Sequence, residues 1–284
     1  MKAGIIGLGA MGMGMARNIA RAGLLEAVYN RTFTKAEILA KEMEVAAIKS
    51  PEQLAALVDV ILICVSADQD VLEIVDAISS TIKPGSVVLD MSTVSSNTAE
   101  QAAKILAGKQ VEFLDAPVSG GVEGAKNGKL VMMIGGNAQA LEKVRPILAT
   151  MTSKIMHMGD TGSGQGTKAV NQIMAAGINQ AVTEALAFGE AQGLTMDKVI
   201  DVISGGAAGN WFLDHRGNSM TRGSYTPGFK LALHHKDLKI CQDMARQNGA
   251  DIALAEKTLA NYEQLMAEGF GDEDISALYR LKRL

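Results

Sequence analysis

Three glycines near the start of the chain restrict its fold more than any other feature, because they are spaced as G-x-G-x-x-G. They follow the apolar run Ala3–Ile6 and open a helix-like segment, Met11–Ala22, that stops at Gly23. In a strand–turn–helix unit such glycines permit a tight turn, a close approach of the backbone to a pyrophosphate, and close packing of helix on strand. The amides at the start of that helix also favour phosphate groups. The sequence therefore predicts a dinucleotide site formed by Gly7, Leu8, Gly9, Ala10, Met11 and Gly12.

Short apolar runs alternate with amphipathic segments through the first 160 residues. Two helix starts carry recognisable signals: Thr34-Lys-Ala-Glu37 fits a capping box, and Ser50-Pro51 places proline at the first helical position. Alternation of this kind predicts right-handed βαβ units and a mainly parallel sheet. The predicted strands are Ala3–Ile6, Ala27–Asn30, Val60–Val65, Val87–Asp90, Val111–Ala116, Leu130–Ile134 and Lys154–Met158.

No strand pattern follows Gly159. One continuous helix is expected from about Gln165 to Gln192, and at 1.5 Å per residue it would be roughly 40 Å long. Further helices are expected at about 196–204, 230–248 and 251–268. The fold class is therefore α/β: a Rossmann-like, doubly wound sheet domain over residues 1–160, followed by an all-helical domain over residues 161–284, with the long helix joining them.

Composition excludes several classes of protein. No apolar run approaches the roughly 20 residues that span a bilayer. The net charge of −4 and the 4% of aromatic residues provide neither a basic patch nor stacking platforms for nucleic acid. The four histidines and two cysteines form no metal-binding spacing. The first residues enter the predicted strand at once, so the sequence predicts no signal peptide and a cytoplasmic protein.

The end of the second predicted strand bears on the choice of cofactor. A site for NAD usually has an acidic residue there, which holds the 2′-hydroxyl of the ribose. This chain instead has Asn30-Arg31-Thr32. The planar guanidinium of Arg31 suits a 2′-phosphate, and Asn30 and Thr32 can donate further hydrogen bonds. The sequence therefore predicts NADP.

Three later segments carry residues suited to chemistry. Ser119-Gly120-Gly121 follows a predicted strand and offers a hydroxyl and two backbone amides to a carboxylate. Lys168 is expected in the first turn of the long helix, where a positive charge is locally unfavourable and so needs a reason. Asn171 and Gln172 follow it at the i+3 and i+4 positions and share its face. The third segment, Lys236-Asp237, lies in a later helix.

Taken in order, four segments of the chain resemble the β-hydroxyacid dehydrogenase family along essentially its whole length. That family includes 3-hydroxyisobutyrate dehydrogenase, tartronate semialdehyde reductase and the glyoxylate/succinic semialdehyde reductases. The matching segments are Gly7–Gly14, Asp115–Gly121, Gly162–Gln172 and Lys236–Leu238. Four motifs in order at sensible spacing are far more specific than any one of them.

The resemblance implies a role for each segment. Lys168 corresponds to the family's catalytic acid/base, and the segment Ser119–Gly121 to its carboxylate-binding loop. The residues that the resemblance places around cofactor and substrate are Val65, Ser66, Ser92, Thr93, Lys236 and Asp237. The family often has asparagine four residues after the lysine, where this chain has Gln172, so it stays open whether Asn171 or Gln172 orients the substrate. The resemblance also implies a homodimer or homotetramer built through the helical domain.

Lysine fits the chemistry that the resemblance implies. Reduction of a carbonyl builds negative charge on its oxygen, and a nearby ammonium stabilises that charge and supplies a proton. The expected function is NADP-dependent reduction of a small carboxylate-bearing aldehyde of the glyoxylate or succinic semialdehyde type. The alternatives are a 3-hydroxyisobutyrate dehydrogenase or tartronate semialdehyde reductase, an imine reductase, in which the lysine is usually replaced, and a non-catalytic dinucleotide-binding sensor.

Overall fold

The computed structural model describes residues 1–283, which form two compact units. The first unit is Met1–Lys168 and the second begins at Ala169. The boundary therefore lies inside the long helix, a few residues after the position 160 expected from the sequence.

The first unit is built on one sheet. Its strands, among the residues described, are β1 Ala3–Ile6, β2 Leu25–Tyr29, β3 Ala46–Ala47, β4 Val60–Ile63, β5 Val87–Asp90, β6 Glu112–Asp115, β7 Val118–Ser119, β8 Leu130–Gly135 and β9 Thr152–Gly159. All the predicted strands are confirmed to within about two residues at each end, and the two-residue strands β3 and β7 were not predicted. The run predicted as Val60–Val65 ends its ladder at Ile63, because the amide of Val65 donates to the hydroxyl of Ser92 instead.

The order of the strands is that of a doubly wound sheet. Strands β3, β2, β1, β4, β5 and β6 lie side by side and all pair in parallel. Strand β8 pairs antiparallel with β6 and β7 and parallel with β9. The predicted Rossmann-like, mainly parallel sheet is confirmed.

Both faces of this sheet are covered, which explains its uniformly apolar strands. Successive residues along a strand point to opposite faces: Ile5 belongs to one buried cluster, with α1 and α7, and Ile6 to the other, with α4 and α5. The helices of this unit are α1 Ala10–Arg21, α2 Phe33–Met43, α3 Pro51–Leu57, α4 Asp68–Ile78, α5 Ser96–Ala107, α6 Gly121–Asn127 and α7 Ala138–Leu148.

The two helix-start signals had different outcomes. Ser50 caps α3 as predicted, since its hydroxyl accepts from the amide of Gln53 and Pro51 is the first helical residue. The capping box at Thr34 was wrong. Helix α2 already begins at Phe33, its N-cap is Thr32, and no side chain caps it.

The second unit is helical. It consists of most of α8 Ser163–Ala191, then α9 Met196–Ser204, α10 Trp211–Thr221, α11 Leu231–Asn248, α12 Ala253–Ala267 and a 3-10 helix Ile275–Leu281. Helix α10 was not predicted, and it begins where the amide oxygen of Asn210 accepts from the amide of Leu213. No helix within residues 1–283 is both long enough and apolar enough to cross a membrane.

The long helix starts earlier than the sequence indicated. It begins at Ser163 and has 29 residues, so Lys168 lies in its second turn rather than its first. The predicted first-turn position of Lys168 was therefore wrong, and the helix dipole acts on its charge less strongly than expected.

Candidate active site

The glycine-rich turn joins β1 to α1 and leaves room for a ligand. Gly7 has a φ of +97°, and a Cβ atom there would lie 2.1 Å from the carbonyl oxygen of Cys64. A Cβ on Gly12 would lie 2.0 Å from the carbonyl oxygen of Gly7. The fold itself therefore requires these two glycines. Gly9 is different, because a Cβ there would meet nothing within 4 Å. The open space in front of Gly9 fits the close approach of a pyrophosphate.

The start of helix α1 fits an anion. Its N-cap is Gly9, no side chain accepts a hydrogen bond from its first amides, and its first turn has no acidic residue. Those amides and the helix dipole favour a phosphate group. The turn is held in place because the side-chain oxygen of Asn30 accepts from the amide of Leu8 at 3.0 Å. The residues of this turn thus fit the dinucleotide that the sequence predicted.

The side chains after β2 have partners inside the protein. Asn30 supports the glycine turn and also donates to the carbonyl oxygen of Thr32 at 3.1 Å. The guanidinium of Arg31 lies 3.3 Å from the carboxylate of Asp70, and its side chain is 89% exposed. Thr32 is exposed. Arg31 is therefore accessible to a ligand, and it has an acidic neighbour, Asp70, that sequence analysis did not predict.

A second loop, after β5, is fixed by a glutamine. Ser92 is buried, and its hydroxyl accepts from the amide of Val65 at 2.9 Å. The side chain of Gln165 donates to the carbonyl oxygen of Ser92 at 2.9 Å and accepts from the amide of Val94 at 3.2 Å. Thr93 lies between these contacts and is half-buried. The Gln165 side chain therefore clamps the loop that carries Thr93.

Two buried carboxylates lie at the ends of neighbouring strands. Asp90 ends β5, is fully buried and accepts from the amide of Ser92 at 3.0 Å. Burial raises the pKa of Asp90 to about 6, against the effect of its hydrogen bonds from Ser92. Asp115 ends β6, and burial raises its pKa as well, although backbone hydrogen bonds from Gly162 and Gln165 oppose the shift.

Asp115 serves as the cap of helix α8. Its two carboxylate oxygens accept from the amide of Gly162 at 2.7 Å and from the amide of Gln165 at 2.8 Å. Glycine is needed around this carboxylate, because a Cβ on Gly135 would lie 2.4 Å from Asp115 Oδ1 and one on Gly164 would lie 2.6 Å from a carbonyl oxygen. Asp115 thereby anchors the helix that carries Lys168 to the sheet.

Lys168 is a buried cation at the end of the first unit. It is only 8% exposed, and its ammonium donates to the carbonyl oxygen of Val118 at 2.9 Å. Val118 belongs to β7, and the predicted carboxylate-binding segment follows directly: Ser119 ends β7, while Gly120 and Gly121 are exposed with φ values of +127° and +63°. The amine is thus anchored one residue before the loop predicted to hold a carboxylate.

The second unit brings four predicted residues together. The ammonium of Lys236 lies 2.9 Å from Asp237 Oδ1, and the side-chain amide of Gln172 donates to Asp237 Oδ2 at 2.6 Å. Asn171 donates in turn to the side-chain oxygen of Gln172 at 2.7 Å. Gln172 and Asp237 are buried, Asn171 is half-buried, and the side chain of Lys236 is 33% exposed.

A buried histidine supports this cluster. One ring nitrogen of His234 lies 3.2 Å from the carbonyl oxygen of Gln172, and the other lies 3.1 Å from the hydroxyl of Tyr262.

Trp211 is 61% exposed and stacks on His215, with ring centroids 4.2 Å apart.

The first unit contains a sheet with a dinucleotide-binding turn, and the second unit is helical. A buried lysine lies near the start of the helix that leads from one to the other. Together these features define a nicotinamide-dependent dehydrogenase. Comparison with protein families agrees. Residues 2–159 match the NAD-binding domain of 6-phosphogluconate dehydrogenase, and residues 162–282 match the NAD-binding domain of NADP-dependent 3-hydroxyisobutyrate dehydrogenase. The chain belongs to the β-hydroxyacid dehydrogenase family, binds a nicotinamide dinucleotide and is an oxidoreductase of the alcohol-oxidising type.

Individual relatives match over nearly the full length. A probable 3-hydroxyisobutyrate dehydrogenase-like protein of Arabidopsis thaliana is 35% identical, with 98% of this chain and 84% of that protein covered. The NAD-dependent L-serine dehydrogenase of Pseudomonas aeruginosa is 32% identical, with 97% and 96% covered. Among solved structures, 3-hydroxyisobutyrate dehydrogenase of Mycobacterium tuberculosis with L-serine has a TM-score of 0.92 at 29% identity, covering 100% of this chain and 99% of that one.

Proposed function

We propose that this protein is an NADP-dependent dehydrogenase that interconverts a small carboxylate-bearing aldehyde and the matching hydroxy acid. The observation that carries the proposal is the buried ammonium of Lys168, anchored to Val118 one residue before the Ser119–Gly121 loop. The leading substrates are of the glyoxylate and succinic semialdehyde type. A dinucleotide-binding sensor would need no buried cation beside an anion-binding loop, so the catalytic function is favoured.

Lys168 acts as the general acid/base. The bound nicotinamide supplies or accepts the hydride. In the reducing direction the ammonium stabilises the negative charge that develops on the substrate oxygen and gives its proton to that oxygen. In the oxidising direction the neutral amine takes the proton from the hydroxyl group. Burial strengthens these interactions, because water does not screen the charge.

Backbone amides bind the carboxylate of the substrate. Ser119 contributes its hydroxyl, and Gly120 and Gly121 contribute amides in a loop whose positive φ values suit glycine. Ser92 lies in the neighbouring loop as a further contact and Asp237 supports the site. A substrate without a carboxylate leaves these donors unpaired, at a cost of roughly 1–3 kcal/mol.

The cofactor is held by residues of the glycine turn, by Arg31 and Thr32 at its 2′-phosphate, and by Val65, Ser66, Thr93 and Lys236 nearer the nicotinamide. The absence of an acid at position 30 and the exposed guanidinium of Arg31 support NADP over NAD. The L-serine dehydrogenase of Pseudomonas aeruginosa is NAD-dependent by name, so family membership alone does not decide this point.

A second candidate is a 3-hydroxyisobutyrate dehydrogenase or a tartronate semialdehyde reductase, which would act on another acid. The similarity in fold to the Mycobacterium tuberculosis enzyme with L-serine favours this alternative. The chemistry and the role of Lys168 are the same in both cases, and only the group on the substrate differs.

A self-association through the helical unit is part of the proposal. Large apolar side chains lie exposed on its surface, among them Val170, Met174, Phe188, Val202 and Trp211. Exposed apolar side chains in such numbers support a protein interface. We propose a homodimer or homotetramer.

The test measures turnover with NADPH of glyoxylate, succinic semialdehyde, methylmalonate semialdehyde and tartronate semialdehyde, each beside a neutral aldehyde of similar size. We expect the acids to be reduced at least tenfold more efficiently, by kcat/KM, because of the unpaired donors. Lys168→Ala should lower kcat on the order of 10²–10⁴-fold and leave NADPH affinity, measured by fluorescence titration, nearly unchanged.

Each outcome is decisive. Preference for methylmalonate semialdehyde or tartronate semialdehyde selects the second candidate. Equal rates with neutral aldehydes contradict the carboxylate loop, and near-normal turnover by a folded Lys168→Ala protein contradicts the assigned acid/base.

A further inference from the structure

Helix α6 packs directly on helix α1. A Cβ atom on Gly14 of α1 would lie 2.8 Å from the carbonyl carbon of Ala125 and 2.9 Å from the amide nitrogen of Lys126, so the two backbones are in contact. Helix α1 follows the glycine turn, and α6 begins at Gly121, the last residue of the proposed carboxylate loop Ser119–Gly121. The packing therefore joins the helix that follows the cofactor turn to the helix that follows the carboxylate loop.

A buried asparagine holds α6 in this position. Asn18 of α1 is only 8% exposed, and its side-chain nitrogen donates to the carbonyl oxygen of Ala125 at 2.7 Å. The orientation of this amide is determined, because the carbonyl can only accept a hydrogen bond and the guanidinium of Arg21, 3.0 Å from the amide oxygen, can only donate one. Carbonyl groups in the last turn of a helix lack partners within the helix, and Ala125 lies in the last turn of α6. Asn18 thus caps the C-terminal end of α6 from a different helix.

The carboxylate loop is anchored on both sides. Before the loop, the ammonium of Lys168 donates to the carbonyl oxygen of Val118. After the loop, α6 has only seven residues, so the contact at Ala125 lies about one helical turn from Gly121. A shift of α6 on α1 therefore moves the amides of Gly120 and Gly121 relative to the glycine turn.

We propose that Asn18 is a positioning residue: it docks α6 on α1 and so sets the distance between the carboxylate loop and the bound dinucleotide. This inference rests on the proposed function, in which the loop binds the carboxylate of the substrate and the glycine turn binds the pyrophosphate. Asn18 is the ninth residue of α1, roughly 12 Å along the helix from its first amides, so it acts through α6 and not on a ligand. A misplaced loop impairs the substrates that carry a carboxylate and spares those that do not.

The experiment compares an acid with a neutral aldehyde in the same variant. The acid is the one that the wild-type protein reduces best, and the neutral aldehyde is pentanal. Asn18→Leu keeps the shape of asparagine but cannot donate to Ala125. We expect the ratio of kcat/KM for the acid over kcat/KM for pentanal to fall about tenfold, which corresponds to one hydrogen bond of ordinary strength. A purely structural role would lower the amount of active protein, reduce both values equally and leave the ratio unchanged.

A second readout does not need turnover. Malonate is an unreactive short dicarboxylate, and calorimetry measures its affinity for the protein saturated with NADP. Asn18→Leu should weaken malonate binding about tenfold, while the affinity for NADPH, measured by fluorescence titration, stays within about twofold of wild type.

Gly14→Ala changes the same contact without removing a hydrogen bond. Alanine favours a helix more than glycine does, so the protein should stay folded, but the new Cβ atom pushes the backbone of α6 away from α1. We expect the selectivity ratio to fall at least threefold. The matched control is Gly189→Ala in α8, where the new Cβ atom would lie 2.9 Å from the terminal methyl group of Met196, a flexible side chain that can rotate away. The control should keep the ratio within about twofold of wild type.

An unchanged ratio and unchanged malonate affinity in folded Asn18→Leu protein would overturn this role of Asn18 and leave the proposed function intact. If Asn18→Leu does not fold, the same result with Gly14→Ala overturns the role. A wild-type protein that shows no preference for acids and does not bind malonate would refute the proposed function itself.

Discussion

At the scale of single residues, the proposed preference for NADP would give Arg31 two competing partners. In the structure its guanidinium lies 3.3 Å from Asp70, and a 2′-phosphate would compete for the same group. The ion pair with Asp70 is exposed and therefore weak, on the order of 0–1 kcal/mol. A bidentate contact with phosphate is stronger, so we expect the phosphate to displace Asp70.

We predict that Arg31→Asp lowers the ratio of kcat/KM for NADPH over NADH by roughly 10–100-fold, since a charge-assisted contact is lost and a repelling charge is added. Asp70→Asn should raise the ratio of kcat/KM for NADPH over NADH by a few-fold, because it removes the carboxylate that competes with the 2′-phosphate for Arg31. Arg17→Gln is the control, since Arg17 is also paired with an acid, Glu42, but lies away from the end of β2. A wild-type protein equally efficient with both cofactors would rule out this role of Arg31.

The residues that sequence analysis missed share one property. Asp115, Gln165 and His234 each contact at least one partner between about 45 and 75 positions away in the chain. Lys168 and the glycine turn were accessible to sequence analysis because their signals are local motifs. A polar residue such as Gln165 gives no such signal, since only the folded chain shows that it is buried against Ser92 and Val94.

At the scale of secondary structure, helix α8 shows what sequence patterns predict and what they omit. Its length and its end before Gly193 were predicted from periodicity, and Gly193 has the positive φ of +72° expected there. Its start was misplaced because the cap is Asp115, a residue of strand β6 rather than the residue before the helix. The two other misses differ in kind: α10 does carry a local signal, the cap at Asn210, whereas the capping box at Thr34 was wrong because α2 already begins at Phe33.

We predict that Asp115→Asn destabilises the start of α8 by about 1–3 kcal/mol, because one amide of the helix then faces an NH₂ group and loses its acceptor. Thermal unfolding should shift to lower temperature, and kcat should fall because Lys168 lies in the second turn of the same helix. The control is Asp160→Asn, an identical change at a nearby exposed residue. Unchanged stability and kcat in Asp115→Asn would show that the cap is dispensable.

At the scale of the whole molecule, the fold was predictable because the dominant pattern repeats many times. Alternating side-chain directions along uniformly buried strands divide the core of the first unit between two faces, and a chain with helices on both faces of a parallel sheet has few alternatives. The two buried carboxylates at the strand ends are an exception to this apolar pattern. Because burial raises their pKa values, these two carboxylates make the folded protein less stable as the pH rises, which surface acids with ordinary pKa values do not.

We predict that Asp90 destabilises the folded protein as the pH rises from about 4 to 6. Burial raises its pKa to about 6 from an ordinary value of 3.8, so in this range the folded state binds the proton more tightly than the unfolded chain. The stability that this tighter proton binding contributes is fully present below the pKa of Asp90 in the unfolded chain, and it is lost as the pH rises through the pKa of Asp90 in the folded protein. The shift corresponds to roughly 1–3 kcal/mol.

Asp90→Asn does not titrate, so the thermal midpoint of the wild type minus that of Asp90→Asn should fall by several degrees between pH 4 and 6.5 and stay constant above pH 6.5. Asp115 is present in both proteins and largely cancels in the difference. A difference that is independent of pH would mean that Asp90 is equally solvated in the folded and unfolded chains.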